Sequence, residues 1–162
     1  MNTVKSNKLG KYIIPAIGLV FTFLVWNNHI LAGIPPTNIG INNGQLAACP
    51  FTPNCVNSQT VASDAEHSIK PIEIGGDPDQ RMNDLKLAIK SMPRSVIVKE
   101  TNNYLGVEFT SQLMGFVDDV EFYFDPDGKS IQVRSASRFG ESDLGVNRQR
   151  IEQIRSKVSS LN

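Results

Sequence analysis

From Asp79 onward the apolar positions fall into regular periods. Leu85, Ala88, Ile89 and Met92 stand at i, i+3, i+4 and i+7, one face of a helix predicted over about 79–92. Pro93 ends it, because a proline drives the residue before it out of the helical region. The period then drops to two, through Val96 and Val98, Leu105, Val107 and Phe109, Val120, Phe122 and Phe124, and Ile131 and Val133. Four strands follow, each with one buried face. Asp125-Pro-Asp-Gly-Lys129 is tight-turn chemistry and makes the last two an antiparallel hairpin. Its Asp-x-Asp-Gly lacks the spaced ligands and closing glutamate of a calcium loop. A second helix, over about 144–159, buries Ile151, Ile154 and Val158 with Asn147 one turn earlier on the same stripe, and Ser142 or Asp143 as its cap. The expected fold is α+β: a four-stranded antiparallel sheet with two helices on one face.

Upstream of Asp79 no apolar period survives beyond a few residues. Pro35-Pro36, Asn42-Asn43-Gly44 and Gly75-Gly-Asp-Pro78 mark residues 34–78 as an irregular, extended arm laid over the 79–162 domain. Residues 1–33 differ again. Lys5, Lys8 and Lys11 precede an uncharged apolar run, Tyr12 to Trp26, and the next charged side chain is Asp64. A positive start followed by an apolar stretch is the pattern of a signal peptide or membrane anchor. His29, Ile30, Leu31 and Ala32 lengthen the run toward an uncleaved anchor, while cleavage near Ala32 or Gly33 gives a signal peptide. Of 16 basic and 16 acidic residues in the chain, those three lysines are removed with the segment, which leaves 13 against 16 and a net charge of −3. That balance argues against a general nucleic-acid binder.

Cys49 and Cys55 bracket Cys-Pro-Phe-Thr-Pro-Asn-Cys. In an exported chain they are expected to form a disulfide, worth about 2 kcal/mol on loop entropy. Metal binding finds little support, since His67 is the one histidine after residue 33. The spacing is not the Cys-x-x-Cys of redox pairs. Leu46-Ala-Ala-Cys49 has the look of a lipoprotein box, yet it does not follow the apolar run directly.

Three stretches carry a resemblance. Cys-Pro-x-x-Pro-Asn-Cys-Val, then Glu108-Phe-Thr with Phe116-Val-Asp-Asp-Val-Glu-Phe, then Arg134-Ser-Ala-Ser-Arg with Ser142-Asp-Leu-Gly-Val-Asn-Arg are similar, in that order, to the DUF1499 family. That is a domain of unknown function found in bacteria and photosynthetic eukaryotes, and the resemblance runs from about Cys49 to the end. Where relatives often carry a basic residue after Leu113-Met114, this chain has Gly115. The lineages imply the thylakoid lumen as a compartment alongside the periplasm.

Strand alternation sends Asp119, Glu121 and Tyr123 to the face opposite Val120, Phe122 and Phe124, with Glu108, Gln132 and Arg134 beside them. Two readings follow. One is a solvated face laced with cross-strand ion pairs; the other is a groove beneath the arm that recognises a polar ligand or a protein edge. Asp118 and Asp119 point to opposite faces, so a carboxylate on the apolar side needs an arginine. Arg134, Ser135, Ser137 and Arg138, leading into Ser142, Asn147 and Arg148 at a helix start, offer an anion site. Glu141 and Asp143 compete for the same positive groups, which favours an internal network pairing Arg138 or Arg148 with Asp118, Asp119 or Asp143. Nucleophilic catalysis finds no Gly-x-Ser-x-Gly and a His67 with no obvious partner. No catalytic residue, metal or cofactor is assigned. The leading expectation is a non-enzymatic, extracytoplasmic interaction or assembly module with a protein partner at a membrane. The alternative is a small ligand-binding protein or hydrolase using the polar sheet face.

Overall fold

The structure is a computed structural model describing residues 32–161 except Gly76 and Gly128. The leader expected over 1–33 lies outside the described residues but for Ala32 and Gly33. In chain order the elements are β1 (Cys55–Asn57), β2 (Ile72–Glu73), α1 (Pro78–Lys90), β3 (Ser95–Glu100), β4 (Tyr104–Thr110), β5 (Val117–Phe124), β6 (Ser130–Ser137) and α2 (Val146–Ser159). Among the described residues no helix is long and apolar enough to cross a membrane.

The sheet has six strands, not four. Its order is β1-β6-β5-β4-β3, and β2 also pairs with β6. Every pairing is antiparallel. The four strands expected from periodicity are β3 to β6; the other two come from the arm. β1 pairs residues 134–136 of β6 and β2 pairs residues 130–131, so two short segments share one edge end to end. Neither is long enough to show a period. They pair because the edge of β6 presents backbone donors and acceptors that need partners.

One sheet face carries the apolar core. Leu105, Val107, Phe109, Val120, Phe122, Phe124, Ile131 and Val133 pack against Leu85, Ala88 and Ile89 of α1 and Ile151, Ile154 and Val158 of α2. Each large side chain buried this way contributes about 2 kcal/mol before entropy is counted. β3 corrects an expectation. Val96 and Val98 face solvent, 58% and 49% exposed, while Ser95 and Ile97 point inward. Val96-Ile97-Val98 is apolar throughout, so both alternations fit it. The registers Ser95↔Phe109 and Ile97↔Val107 decide, and an irregularity between Ile97 and Lys99 follows.

The helix ends are local chemistry. Asp77 caps α1 by accepting the N–H of Asp79. α2 begins at Val146 after Gly145, whose φ of 81° is the left-handed conformation glycine tolerates. The expected cap still acts, because the Asp143 carboxylate accepts the N–H groups of Gly145 and Asn147 at 2.9 and 2.8 Å. Ser142 Oγ accepts from Leu144.

The arm crosses the opposite face. Leu46 packs with Tyr104 and Tyr123. Gln59 accepts the N–H of Leu46 and donates to the carbonyl of Gly44, and Asn57 donates to the carbonyl of Ala47. Cys49 and Cys55 form a disulfide with Cα atoms 5.6 Å apart, tying the stretch that crosses this face to the start of β1.

Candidate functional site

The registers Glu108↔Asp119 and Gly106↔Glu121, then Glu121↔Arg134 and Tyr123↔Gln132, bring the predicted polar residues onto one face. That face is neither solvated nor an open groove. Glu121 is 1% exposed and Asp119 3%. Glu121 Oε1 accepts the Tyr104 hydroxyl at 2.9 Å and the Gly40 N–H at 2.6 Å, while Oε2 meets Arg134 Nη1 at 3.1 Å. The arm therefore supplies a ligand to a buried carboxylate. Gly106, opposite Glu121, makes room for the Tyr104 ring, since a Cβ there would meet Tyr104 Cε1 at 3.3 Å.

Asp119 takes Arg138 in a two-point grip, Nε at 2.8 Å and Nη2 at 2.6 Å, and Glu108 binds the same Nη2. The Asp119 carboxylate holds the Arg138 guanidinium protonated beyond its ordinary range. Burial, then the Glu121 charge, pushes the Tyr104 hydroxyl well above the usual phenol range. Tyr104 is thus a fixed donor with no base role at neutral pH. Tyr123 is buried beneath Leu46, and Gln132 bridges Ser58 and Asp125.

Ser135, Ser137 and Asn147 lie on the other side of the sheet. Alternation along β6 separates them from Arg134 and Arg138, so hydroxyls and guanidinium groups do not converge on one anion. Asn147, fully buried, donates from Nδ2 to the Asn54 carbonyl and Ser137 Oγ; its Oδ1 accepts from Ser135 and from Arg150 Nη1. Arg150 also binds Asp118 at 2.5 Å and covers the Phe109 ring at 4.9 Å. The carboxylate on the apolar side does have its arginine. Sequence reasoning missed Arg150, although it lies on the Asn147, Ile151, Ile154 stripe. Of the expected network, the Arg138–Asp119 pairing is present, but Asp118 meets Arg150 on the other side, so one network becomes two charged layers with the sheet between them.

Arg148 pairs with none of the expected carboxylates. It donates to the carbonyls of Ala65, Glu66 and Ser68, clamping the arm to α2. Ser142 is exposed beside it. His67 does have partners. Nδ1 meets Asp64 at 2.8 Å and Nε2 the Thr52 carbonyl at 3.3 Å. Both are acceptors, so the doubly protonated ring satisfies the two at once. The Asp64 hydrogen bond raises the imidazole pKa accordingly. With Nε2 on a main-chain carbonyl, this pair has no nucleophile to activate.

Among the described residues no three His, Cys, Asp or Glu side chains are placed to hold a metal. An open cleft of roughly 650 Å³ lies between α1 and the turns after β3 and β5, crossed by a Lys86–Glu100 ion pair. Its walls come from three separated segments, so no local pattern announces it.

Comparison with curated proteins finds none that matches. A family profile described as "Protein of unknown function (DUF1499)" matches residues 45–158, from the first third of the arm through β6 and most of α2. With the disulfide loop, both charged layers and the Ser142–Arg148 cap inside that span, the chain belongs to the DUF1499 family.

Proposed function

We propose that the protein is a non-enzymatic, extracytoplasmic interaction module held at a membrane, in the periplasm or the thylakoid lumen. The observation that carries this reading is the closed charged layer under the arm. Glu108, Asp119, Glu121, Arg134 and Arg138 bind one another, and Gly40 of the arm completes the Glu121 site. The carboxylates and guanidinium groups are thereby occupied with one another and, at Glu121, with the arm, while Arg134 Nε is left buried without a partner among the described residues. The Cys49–Cys55 disulfide supports an oxidising compartment, and the three lysines before the Tyr12–Trp26 run support membrane delivery.

Fractionation of cells carrying the full chain tests the reading. The expected result is recovery with membranes, with neither cysteine labelled by a thiol reagent until a reductant is added. Recovery in a reducing soluble fraction with both thiols labelled would sink it. The alternative, a ligand bound by Asp119, Glu121 and Arg134, requires the arm to lift. A small molecule that raises the melting temperature of wild type but not of Glu121→Gln would replace the interaction module with that ligand binder.

A further inference from the structure

The two ends of the sheet differ in kind. The turn after β4, the loop after β6 and the disulfide loop before β1 all lie at one end, as the pairings Thr110↔Val117, Asp118↔Ser137 and Cys55↔Ala136 require, and Gly33 lies there against Arg138. From these loops Leu113 (87% exposed), Leu144 (90%), Ile34 (88%) and Phe51 (105%) stand in solvent, with Met114 and Phe139 between. Phe139 stacks on Phe116 at 5.8 Å, which stiffens the middle of this rim. At the other end the exposed side chains include Asp77, Asp79, Glu100, Asp127 and Lys129.

Two further observations concern the apolar end. Leu144 has a φ of 55°, a conformation a branched side chain adopts at a cost, and it holds that conformation without burying itself. The chain also enters here. Gly33 sits so close to Arg138 that a Cβ on it would lie 2.7 Å from Arg138 Cβ, and Arg138 adjoins Phe139. The 31 residues before Ala32, with their apolar run, therefore join the domain at its apolar end.

We propose that this end is a bilayer-docking surface, with Ile34, Phe51, Leu113, Met114, Phe139 and Leu144 seated in the interfacial layer of the membrane that receives the N-terminal segment. The inference rests on the membrane-held reading and adds the orientation: sheet axis across the membrane plane, charged end outward. Apolar side chains supply the contact. The charges at this end are mixed, with Arg94 and Glu141 exposed and Glu66 and Asp143 beside Leu144, so anionic lipid is not the attractant.

The test uses the full chain with its one tryptophan removed by Trp26→Phe and a reporter placed by Leu113→Trp, Phe51→Trp or, at the charged end, Asn102→Trp. Each protein is incorporated into phosphatidylcholine vesicles, with and without bromine on the acyl chains. Brominated lipid is expected to quench the Leu113→Trp and Phe51→Trp proteins roughly twofold or more and leave Asn102→Trp unchanged, equally at low and high salt. Vesicle flotation with all three reporters equally open to iodide overturns the docking surface while the membrane-held reading survives. Failure to float removes both. Reporters at positions 51 and 113 that are shielded from iodide before lipid is added overturn the proposal as well. They assign the end to the N-terminal segment or, where size exclusion shows a dimer, to a second copy.

Discussion

Asp118 and Asp119 are neighbours with different fates. Asp119 faces the arm and meets Arg138; Asp118 faces the helices and meets Arg150. Removing one member of such a buried pair strands the other, at a cost of about 3–5 kcal/mol, whereas removing both costs less. Asp118→Ala is therefore expected to lower the urea midpoint more than Asp118→Ala with Arg150→Met, a sign that additivity would not give. Leu144 argues the reverse case. Leu144→Gly relieves a φ of 55° without uncovering any core and is expected to stabilise by about 1 kcal/mol, read as a higher melting temperature. A leucine kept at a strained, exposed position is more easily understood as a contact with something outside the chain.

At the scale of elements, legibility followed length. β4, β5 and β6 were readable because each carries several apolar alternates on one face, and α2 because three aliphatic residues repeat at helical spacing. β1 and β2 have three and two residues and take their conformation from the edge of β6, so nothing local announces them. The polar residues of the candidate site were placeable on a face by alternation. Their burial was not, because the cover comes from residues 34–50, far away in sequence and without a period of their own. The disulfide holds the end of that cover. Cys49→Ser with Cys55→Ser is expected to cost about 2 kcal/mol and to speed amide exchange at Gly40, whose N–H binds Glu121. Equal exchange in both proteins would mean that the arm is held by the sheet contacts alone.

For the whole molecule, His67 adds a side-chain link where β1 already meets the loop before β2 through Asn57. Through Asp64 and the Thr52 carbonyl it ties the loop before β2 to the disulfide loop. Its pKa is raised on folding, so its contribution is complete below the ordinary histidine value near 6.5 and is lost as pH rises through the folded value. Asp64, whose pKa is lowered by His67, contributes above its ordinary value and fades as pH falls through the folded one. Wild type is therefore expected to lose stability relative to His67→Gln as pH rises above the ordinary histidine value near 6.5, as read by paired urea titrations. A difference that stays flat above that value would mean the imidazole does not change charge there.

β6 is the strand on which β1, β2 and β5 all depend, and it is made near the end of the chain. A chain emerging N-terminus first has its arm and cysteines outside long before residues 130–137 exist to receive them. Bond formation between Cys49 and Cys55 needs only a seven-residue loop and is free to occur at once, but strand pairing must wait for about 75 more residues and a loop closure of the same length. The arm, made first, is thus the last part of the sheet to find its partner. Until residues 130–137 are present β5 lacks one neighbour and both arm strands lack their only one, so the strand made last is the one that locks the segment made first.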